Sequence, residues 1–362
     1  KLLTMIHFSL VADTRRKLSS GCKLYYFTSF QVFRHGDRTP STIETYPNDP
    51  YANYTYYPIG RGGLTNEGKR REYQLGKVLK SRYGGFLGSI YYPSVLVARS
   101  SDFDRTKMSL QLVLSALYPP EPIQEWNDEL PWQPIPAFYS PIEKDILFYP
   151  ELCSQYMAEY SRVKNTTEVK KKVAKFDGLM KSIGEFTGQT INDTYELYTL
   201  YLAFDAQRSA HLKLPKRVYE FYPNGELRDA TYLEYEISSY NDYLKRINGG
   251  TLLRDISDNA ISYVNGTLDK GRKLYLYSGH ESNIAALQLT LGVYEPHVPA
   301  YSSAVIIEFW QLKNEYFVLQ YSGIPSEIIE QQIPGCEVLC PFDKFLQLLV
   351  PVTATDADLL CP

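Results

Sequence analysis

LYYFTSFQVFRHGDRTP, residues 24–40, is the stretch that decides the fold of this chain. Residues 24–33 are aromatic or apolar almost throughout, which is typical of a β-strand buried on both faces of a sheet. The charged and polar residues 34–40 follow at once, so the strand is predicted to end at Arg34, where a loop begins. Ligands of doubly wound sheets bind at the carboxyl ends of strands. This loop is therefore the first candidate for a functional site.

The succession of strand, loop and helix repeats outward from this stretch. Thr65 can cap a helix that Gly84-Gly85 would stop, and Ser101 or Asp102 can cap a second helix. An α/β protein is therefore predicted, with a doubly wound mixed sheet and helices on both faces. The other predicted elements are a strand at 94–98, a strand at 274–277, a helix at 282–291, and a hairpin of strands at 304–310 and 316–321.

Three regions of the chain differ in composition and in their predicted secondary structure. Residues 23–120 and 251–362 carry the alternating strands and helices, and together they are predicted to form the α/β domain. Residues 121–250 contain Pro-rich turns and polar helical stretches, which predicts an inserted, mostly helical cap. Residues 1–22 are an atypical N-terminal segment, and we interpret their apolar run at 2–12 as a remnant of a signal peptide.

A second polar motif, Ser278-Gly279-His280-Glu281, also follows a predicted strand and opens a helix. Because the carboxyl ends of parallel strands meet at one edge of a sheet, His35 and His280 are expected to lie close together. A single histidine after a strand is most often a core residue. Two histidines in two such motifs indicate a site.

The arginines of the site fit a phosphate monoester, whose transferred group spreads negative charge over three oxygens. Arg34 and Arg38 can pair bidentately with those oxygens. Arg105 is chosen as the third, because it falls in the first turn of a predicted helix, where backbone N–H groups face an anion. The alternative for Arg105 is a surface salt bridge with Asp102 or Asp104.

His35 is the predicted nucleophile. Neighbouring arginines disfavour its protonation, so its ring can stay neutral in acid. Glu281, beside His280, is the predicted proton donor to the leaving alkoxide, and an acid optimum is expected. His211 is expected in the cap, where the sequence is equally compatible with a structural role and with a role in binding the substrate.

Three further residues near the motif have expected roles in shaping it. Gly36 is expected to let the backbone approach the phosphate. Asp37 and Glu44 are expected to pair with the motif arginines and to orient them.

Composition narrows the class of partner. The 362 residues carry a net charge of −3, and the pI is about 6.0, so no surface for a nucleic acid is indicated. No apolar stretch reaches the roughly 18 residues that a membrane span needs. The sequence has no CxxC pair and no cysteine near a histidine, so no metal site is predicted, and no cofactor is expected.

Five cysteines and four glycosylation sequons favour the secretory pathway. Cys336 and Cys340 are close enough to close a tight loop, and Cys153 and Cys361 can tie a distant segment to the C-terminal end. Cys22 is then left over, and other pairings stay open. We expect a secreted, extracellular glycoprotein. The sequon asparagines are Asn53, Asn165, Asn192 and Asn265.

Residues 34–40 together with His280-Glu281 resemble the histidine acid phosphatases, and the likeness covers residues 23–361. Residues 99–109 are similar to the prostatic and lysosomal branch of that family. The insect venom acid phosphatases resemble this chain most in residues 278–285 and 334–341.

The resemblance implies an acid phosphatase with an α/β catalytic domain and a helical cap, frequently a homodimer, that needs no metal. The implied substrates are small phosphate monoesters, with phosphoproteins as further candidates. By the same resemblance His35 accepts the phosphoryl group, and the phosphate is held by Arg34, Arg38, Arg105 and His280. The implied disulfides are Cys336–Cys340 and Cys153–Cys361.

One departure from the family keeps a second hypothesis open. Most of the family has Asp where this chain has Glu281, so proton donation could be slower or redirected. The alternative is a catalytically weak or inactive secreted venom component or allergen on the same fold. Hydrolysis of inositol polyphosphates would demand a basic rim, which the net charge of −3 does not favour. A mutase that returns the phosphoryl group would have no purpose outside the cell.

Overall fold

The computed structural model describes residues 25–268 and 271–361. Their strands form one mixed sheet, in the order β2-β3-β1-β4-β5-β6, with β7 paired to β5; the strands are β1 (Tyr25–Arg34), β2 (Leu96–Ser100), β3 (Leu274–Gly279), β4 (Ala304–Leu312), β5 (Glu315–Ile324), β6 (Glu327–Gln331) and β7 (Cys340–Pro341). Strands β2, β3 and β1 run parallel to one another. Strands β4, β5 and β6 add antiparallel pairs on the other side of β1.

The α-helices of the described residues lie between and after these strands. They are α1 (Asn66–Leu87), α2 (Asp104–Leu117), α3 (Ser154–Lys164), α4 (Thr167–Val173), α5 (Asp177–Thr187), α6 (Thr194–Ser209), α7 (Glu226–Ser238), α8 (Asp242–Asn248), α9 (Gly250–Val264), α10 (Glu281–Leu291), α11 (Phe342–Leu349) and α12 (Asp356–Leu360). Short 3-10 helices occur at Thr42–Glu44, Pro122–Gln124, Ile142–Lys144, Pro150–Leu152, Ala174–Phe176, Lys216–Glu220 and Val350–Val352.

Strand β1 lies inside the sheet and is buried on both faces, as its apolar sequence predicts. Phe30 and Val32 pack into one hydrophobic cluster, and Phe33 packs into the cluster on the opposite face. Helices α9, α10 and α11 contribute to the first cluster, and α1 and α2 contribute to the second. The prediction of a doubly wound mixed sheet with helices on both faces is therefore confirmed.

Two helix boundaries differ from those predicted. Helix α1 does not stop at Gly84-Gly85; it continues to Leu87 and ends at Gly88, whose φ of 82° favours glycine. Phe103, and not Ser101, occupies the N-cap position of α2. The hydroxyl of Ser101 lies against Thr106 and His280 instead.

Helices α3 to α8 fall within the range predicted as a cap, and they form hydrophobic clusters apart from those of the sheet. Leu197 and Leu227 lie in one of these clusters, and Val163 and Leu244 lie in the other. The beginning of the predicted cap packs differently. The buried side chains of Ile135, Leu147, Phe148 and Tyr149 belong to the clusters of the sheet.

Both predicted disulfides are present, joining Cys153 to Cys361 and Cys336 to Cys340. The atypical segment 1–22, with Cys22, lies outside the described residues. Within 25–268 and 271–361, no helix is both long enough and apolar enough to cross a membrane. Each sequon asparagine has an exposed side chain: Asn53, Asn165, Asn192 and Asn265.

Candidate active site

His35 follows the last residue of β1, and its backbone N–H donates to the carbonyl of Gly279 at 3.0 Å. Its side chain is 1% exposed. Ring atom Nδ1 lies 2.8 Å from the carbonyl oxygen of Gly36. Because a carbonyl only accepts hydrogen bonds, Nδ1 carries the ring proton in this contact. The lone pair is therefore on Nε2, which is free to act as a nucleophile.

The pKa of His35 is well below its ordinary value. Burial is the first cause, and the charges of Arg105 and Arg34 lower the pKa further, followed by His280 and Arg38. The direction is the one expected from the sequence, although burial contributes more than the arginines. The ring stays uncharged in acid.

Arg38 is held by a carboxylate from its own loop. Its Nη1 donates to Oε2 of Glu44 at 2.7 Å, and its Nη2 donates to Oε1 at 2.5 Å. Burial is the largest single cause and raises the pKa of Glu44, but the charge and hydrogen bond of Arg38 together with the hydrogen bonds of Ser41 outweigh it, so the net pKa is lowered. The expected pairing of Glu44 with a motif arginine is therefore present, and the partner is Arg38. In the described part of the chain, Nε of Arg38 has no hydrogen-bond partner.

Arg34 is almost fully buried. Its Nη1 donates to the carbonyl of Pro299 at 2.6 Å, and its guanidinium carbon lies 3.8 Å from the ring centroid of Tyr301. Its Nε is 3.4 Å from Oε2 of Glu281. Among the residues described, Nη2 donates to no acceptor. An unpartnered guanidinium donor in a buried position suits an oxyanion.

Arg105 lies in the first turn of α2, as predicted. Its Nη2 is 3.5 Å from Nδ1 of His280. Burial and then the charge of Arg38 lower its pKa to about 10, which shows that the cations repel one another. The alternative surface salt bridge is absent within the described residues. Asp102 pairs with Lys107 instead.

His280 lies at the N-cap of α10, beside the end of β1. Its ring centroid is 5.5 Å from that of His35, so the two strand-end histidines meet. Its Nε2 lies 3.0 Å from the hydroxyl of Ser101 and 3.4 Å from that of Tyr149. Burial, then Arg105 and the other arginines, keeps its pKa well below the usual range.

Glu281 is the first residue of α10 and is buried. The hydroxyl of Tyr198, from α6, donates to its Oε1 at 2.6 Å. Burial raises the pKa of Glu281, but Arg34, Tyr198 and Arg38 together lower it below its ordinary value. In the free protein this group is therefore a carboxylate, and not the protonated acid that the sequence suggested.

A Cβ on Gly36 would lie 2.5 Å from the carbonyl oxygen of Gly68, so glycine is required there for the close approach of α1. The expectation for Asp37 needs correction. Asp37 forms its ion pair with Arg71, at 3.0 Å, and not with a motif arginine.

A cleft of about 390 Å³ has Arg34 in its wall and reaches the cap. His211 lines it, where the sequence analysis expected it, with an exposed side chain. The charged groups of the rim are largely paired, since Arg208 lies 2.9 Å from Asp205. The lining residues are Arg34, Asp37, Glu67, Arg71, Tyr201, Asp205, Arg208, Ser209, His211, Val298, Ala300 and Tyr301.

Several of these residues were not found by the sequence analysis. Tyr198 and Tyr301 stand in no motif, and the chain has 32 tyrosines, so nothing separates them from the rest. Asp205 and Arg208 have the spacing of an ordinary helical ion pair. Among residues 25–268 and 271–361, no group of three or more His, Cys, Asp or Glu could hold a metal ion.

Comparisons with known proteins agree with this geometry. Residues 30–322 match the sequence model of the histidine phosphatase superfamily (branch 2). The venom acid phosphatase Acph-1 of Apis mellifera is 47% identical over 333 residues, which is 91% of this chain and 86% of that protein. Human prostatic acid phosphatase is 31% identical over 339 residues, again 91% of this chain and 86% of that protein. The apo form of Hafnia alvei phytase has the same fold, with a TM-score of 0.66 and 15% identity over 93% of this chain and 98% of that one.

Proposed function

This chain belongs to the histidine phosphatase superfamily (branch 2) and is an acid phosphatase, and we propose that it hydrolyses phosphate monoesters through a phosphohistidine on His35, with Glu281 as proton donor. The observation that carries the proposal is the buried, neutral imidazole of His35, whose lone pair lies on Nε2 among the cations Arg34, Arg38 and Arg105. In the first step, Nε2 attacks phosphorus and the bond from phosphorus to the leaving oxygen breaks. The charge on the transferred group is stabilised by the arginines and by His280.

Glu281 gains its proton when the substrate binds. In the free protein, Arg34 keeps this carboxyl ionised. A bound phosphate pairs with the arginines and adds negative charge beside Glu281, so both effects raise its pKa. The carboxyl can then protonate the leaving alkoxide. In the second step it takes a proton from the water that attacks the phosphohistidine, the N–P bond breaks, and inorganic phosphate leaves.

A polyphosphorylated substrate is the second candidate, because the phytase fold is shared. The rim of the cleft disfavours it. Arg71 pairs with Asp37, and Arg208 pairs with Asp205, so little uncompensated positive charge is left for a second phosphate group. Glu67, also in the rim, pairs with Arg70 and adds no positive charge. These pairs support a substrate that carries one phosphate.

Secretion, phosphoprotein substrates and a homodimer are part of the proposal. The two disulfides, the exposed sequon asparagines and the similarity to a venom acid phosphatase support secretion. Phosphoproteins fit because the cleft opens at the exposed His211. The dimer is supported by exposed apolar side chains, Tyr92, Ile123 and Trp126, near the edge strand β2. The side chain of Gln124 forms hydrogen bonds with the backbone of Tyr91, so the segment with Ile123 and Trp126 lies beside the segment with Tyr92.

His35→Ala is expected to abolish phosphorylation of the enzyme and to lower kcat by roughly 10³-fold or more, because the nucleophile is lost. The enzyme is mixed with a radiolabelled aryl phosphate and quenched in alkaline detergent, which preserves a phosphoramidate bond. The label is then mapped. His297→Ala, a histidine outside the cleft, is the control and should label like the wild type. Label on the His35→Ala protein would show that the nucleophile is another residue.

Glu281→Gln is expected to slow the release of poor leaving groups most. For an alkyl phosphate, kcat should fall by about 10²- to 10⁴-fold, whereas an aryl phosphate with an acidic phenol should lose less, because its leaving group needs no proton. The wild-type kcat should decline as pH rises through the pKa of Glu281 in the substrate complex. Glu281→Asp is the matched control and should keep this dependence. An equal loss for both esters would contradict the assignment of Glu281, whereas a folded wild-type protein without activity on an aryl phosphate near pH 5 would favour the inactive alternative.

Glu67→Lys is expected to raise kcat/KM for inositol hexakisphosphate relative to p-nitrophenyl phosphate by roughly fivefold, the effect of about 1 kcal/mol from an exposed charge. Glu67 lies in the first turn of α1 and pairs with Arg70. Glu168→Lys is the matched control, since Glu168 lies in the first turn of α4 and pairs with Lys172, away from the cleft. If the ratio of the two kcat/KM values is the same in Glu67→Lys and Glu168→Lys, the charge of the rim does not set the preference between these substrates.

The wild-type protein is expected to sediment as a dimer at micromolar concentration. Ile123→Glu should shift it to a monomer, because the substitution puts a charge into the apolar face, in which Ile123 is 82% exposed. Sedimentation velocity measures both. A wild-type monomer over the same concentrations would rule out the dimer.

A further inference from the structure

A single turn, residues 299–303, holds both of the residues that begin the motif. The carbonyl of Pro299 accepts from Nη1 of Arg34 at 2.6 Å. The backbone N–H of Ser302 donates to the carbonyl of His35 at 3.3 Å. The turn therefore holds the guanidinium of Arg34 directly and the backbone of His35, from which the imidazole extends.

The conformation of this turn needs outside support. Ser302 is fully buried and has a φ of 61°, in the left-handed region that residues other than glycine seldom adopt. Its hydroxyl donates to Oε1 of Glu72 at 2.6 Å. Glu72 comes from α1, the helix that also packs against the motif loop at Gly36. Glu72 thus connects a rigid helix to the strained residue of the turn.

Glu72 is buried to the same degree as the core, and the reaction described above does not use it. Within the described part of the chain, its Oε2 has no hydrogen-bond partner. Burial raises its pKa to about 8, and Asp37 acts in the same direction, whereas Ser302 and Arg71 act against them. At acid pH the carboxyl is therefore neutral and can accept from Ser302 without a buried charge.

We propose that Glu72 is a positioning residue for the phosphate site: it fixes Ser302, and through the turn 299–303 it sets the positions of Arg34 and His35. The inference rests on the proposed function, because the effect of Glu72 is measured as the kcat of phosphate ester hydrolysis. If the wild-type protein does not hydrolyse phosphate monoesters, the proposed function is wrong. A difference in kcat between the Glu72 variants and an active wild type tests only the role of Glu72.

The test compares Glu72→Ala with Glu72→Gln at pH 5. Glu72→Ala should lower kcat for an aryl phosphate by up to about 10²-fold, the cost of a nucleophile displaced by about 1 Å, with a smaller change in KM. Glu72→Gln keeps a neutral oxygen that accepts from Ser302, so its kcat should stay within about threefold of the wild type. Equal losses in the two variants, or full activity in folded Glu72→Ala, would overturn the proposal.

Glu308→Ala is the matched control. It breaks a contact between α1 and β4 near the C-terminal end of α1, away from Glu72. Glu308 is also buried, and its Oε1 accepts from Tyr83 of α1 at 2.7 Å. This variant should lower the urea midpoint of unfolding but leave the kcat of the folded protein unchanged. A fall in kcat equal to that of Glu72→Ala would reduce Glu72 to a general structural role.

Ser302→Ala decides the matter if Glu72→Ala does not fold. It removes the same hydrogen bond with less loss of packing, and its kcat should fall in the same way. Where both single variants fold, the double variant should lose no more than the larger single loss, since the two residues act through one contact. Full activity of Ser302→Ala, or losses that simply add, would overturn the proposal.

Discussion

Three guanidinium groups gathered around one buried imidazole form the constraint on which this structure depends. Like charges repel strongly when they are removed from water. The chain relieves the repulsion locally: Glu44 forks onto Arg38, while Glu281 and the ring of Tyr301 lie beside Arg34. Burial first, and then the charge of Arg38, lower the pKa of Arg105 to about 10, so part of the repulsion remains. An anion with three charged oxygens completes the balance, and the neutral ring lies where it can attack that anion.

The sheet supplies the geometry. Strands β1 and β3 are neighbours and run parallel, with Arg34 opposite Gly279, so the residue after each strand is brought to the same edge. This register makes His35 and His280 neighbours, although 245 positions separate them in the chain. Helix α1 and the turn 299–303 then enclose the loop from two sides. Burial on all sides is also the largest cause of the lowered pKa of both imidazoles, and the neighbouring charges come second.

Helix α6, from the range predicted as a cap, contributes side chains to the site. Tyr198 of α6 donates to Glu281, and Asp205 and Arg208 of the same helix form part of the rim. The pKa of Glu281 therefore depends on Arg34 from the end of β1 and on Tyr198 from α6, and both lower it. A bound phosphate would pair with Arg34 and so raise this pKa again. By the proposed mechanism an acid optimum would belong to the substrate complex, because the pKa of Glu281 is lowered in the free protein.

The sequence by itself determined the local part of this protein: the buried strand, the two strand-end motifs, the doubly wound sheet and the choice of His35, Arg34, Arg38, Arg105 and His280 as site residues. Periodicity, charge type and motif order are local properties, so a chain displays them before it folds. Only the tertiary structure decided that Glu281 starts as a carboxylate, that Gly36 makes room for α1, and that Glu72 and Ser302 support the turn 299–303. These depend on burial and on contacts made by residues that stand in no motif, such as the hydrogen bond between Glu72 and Ser302, about 230 positions apart.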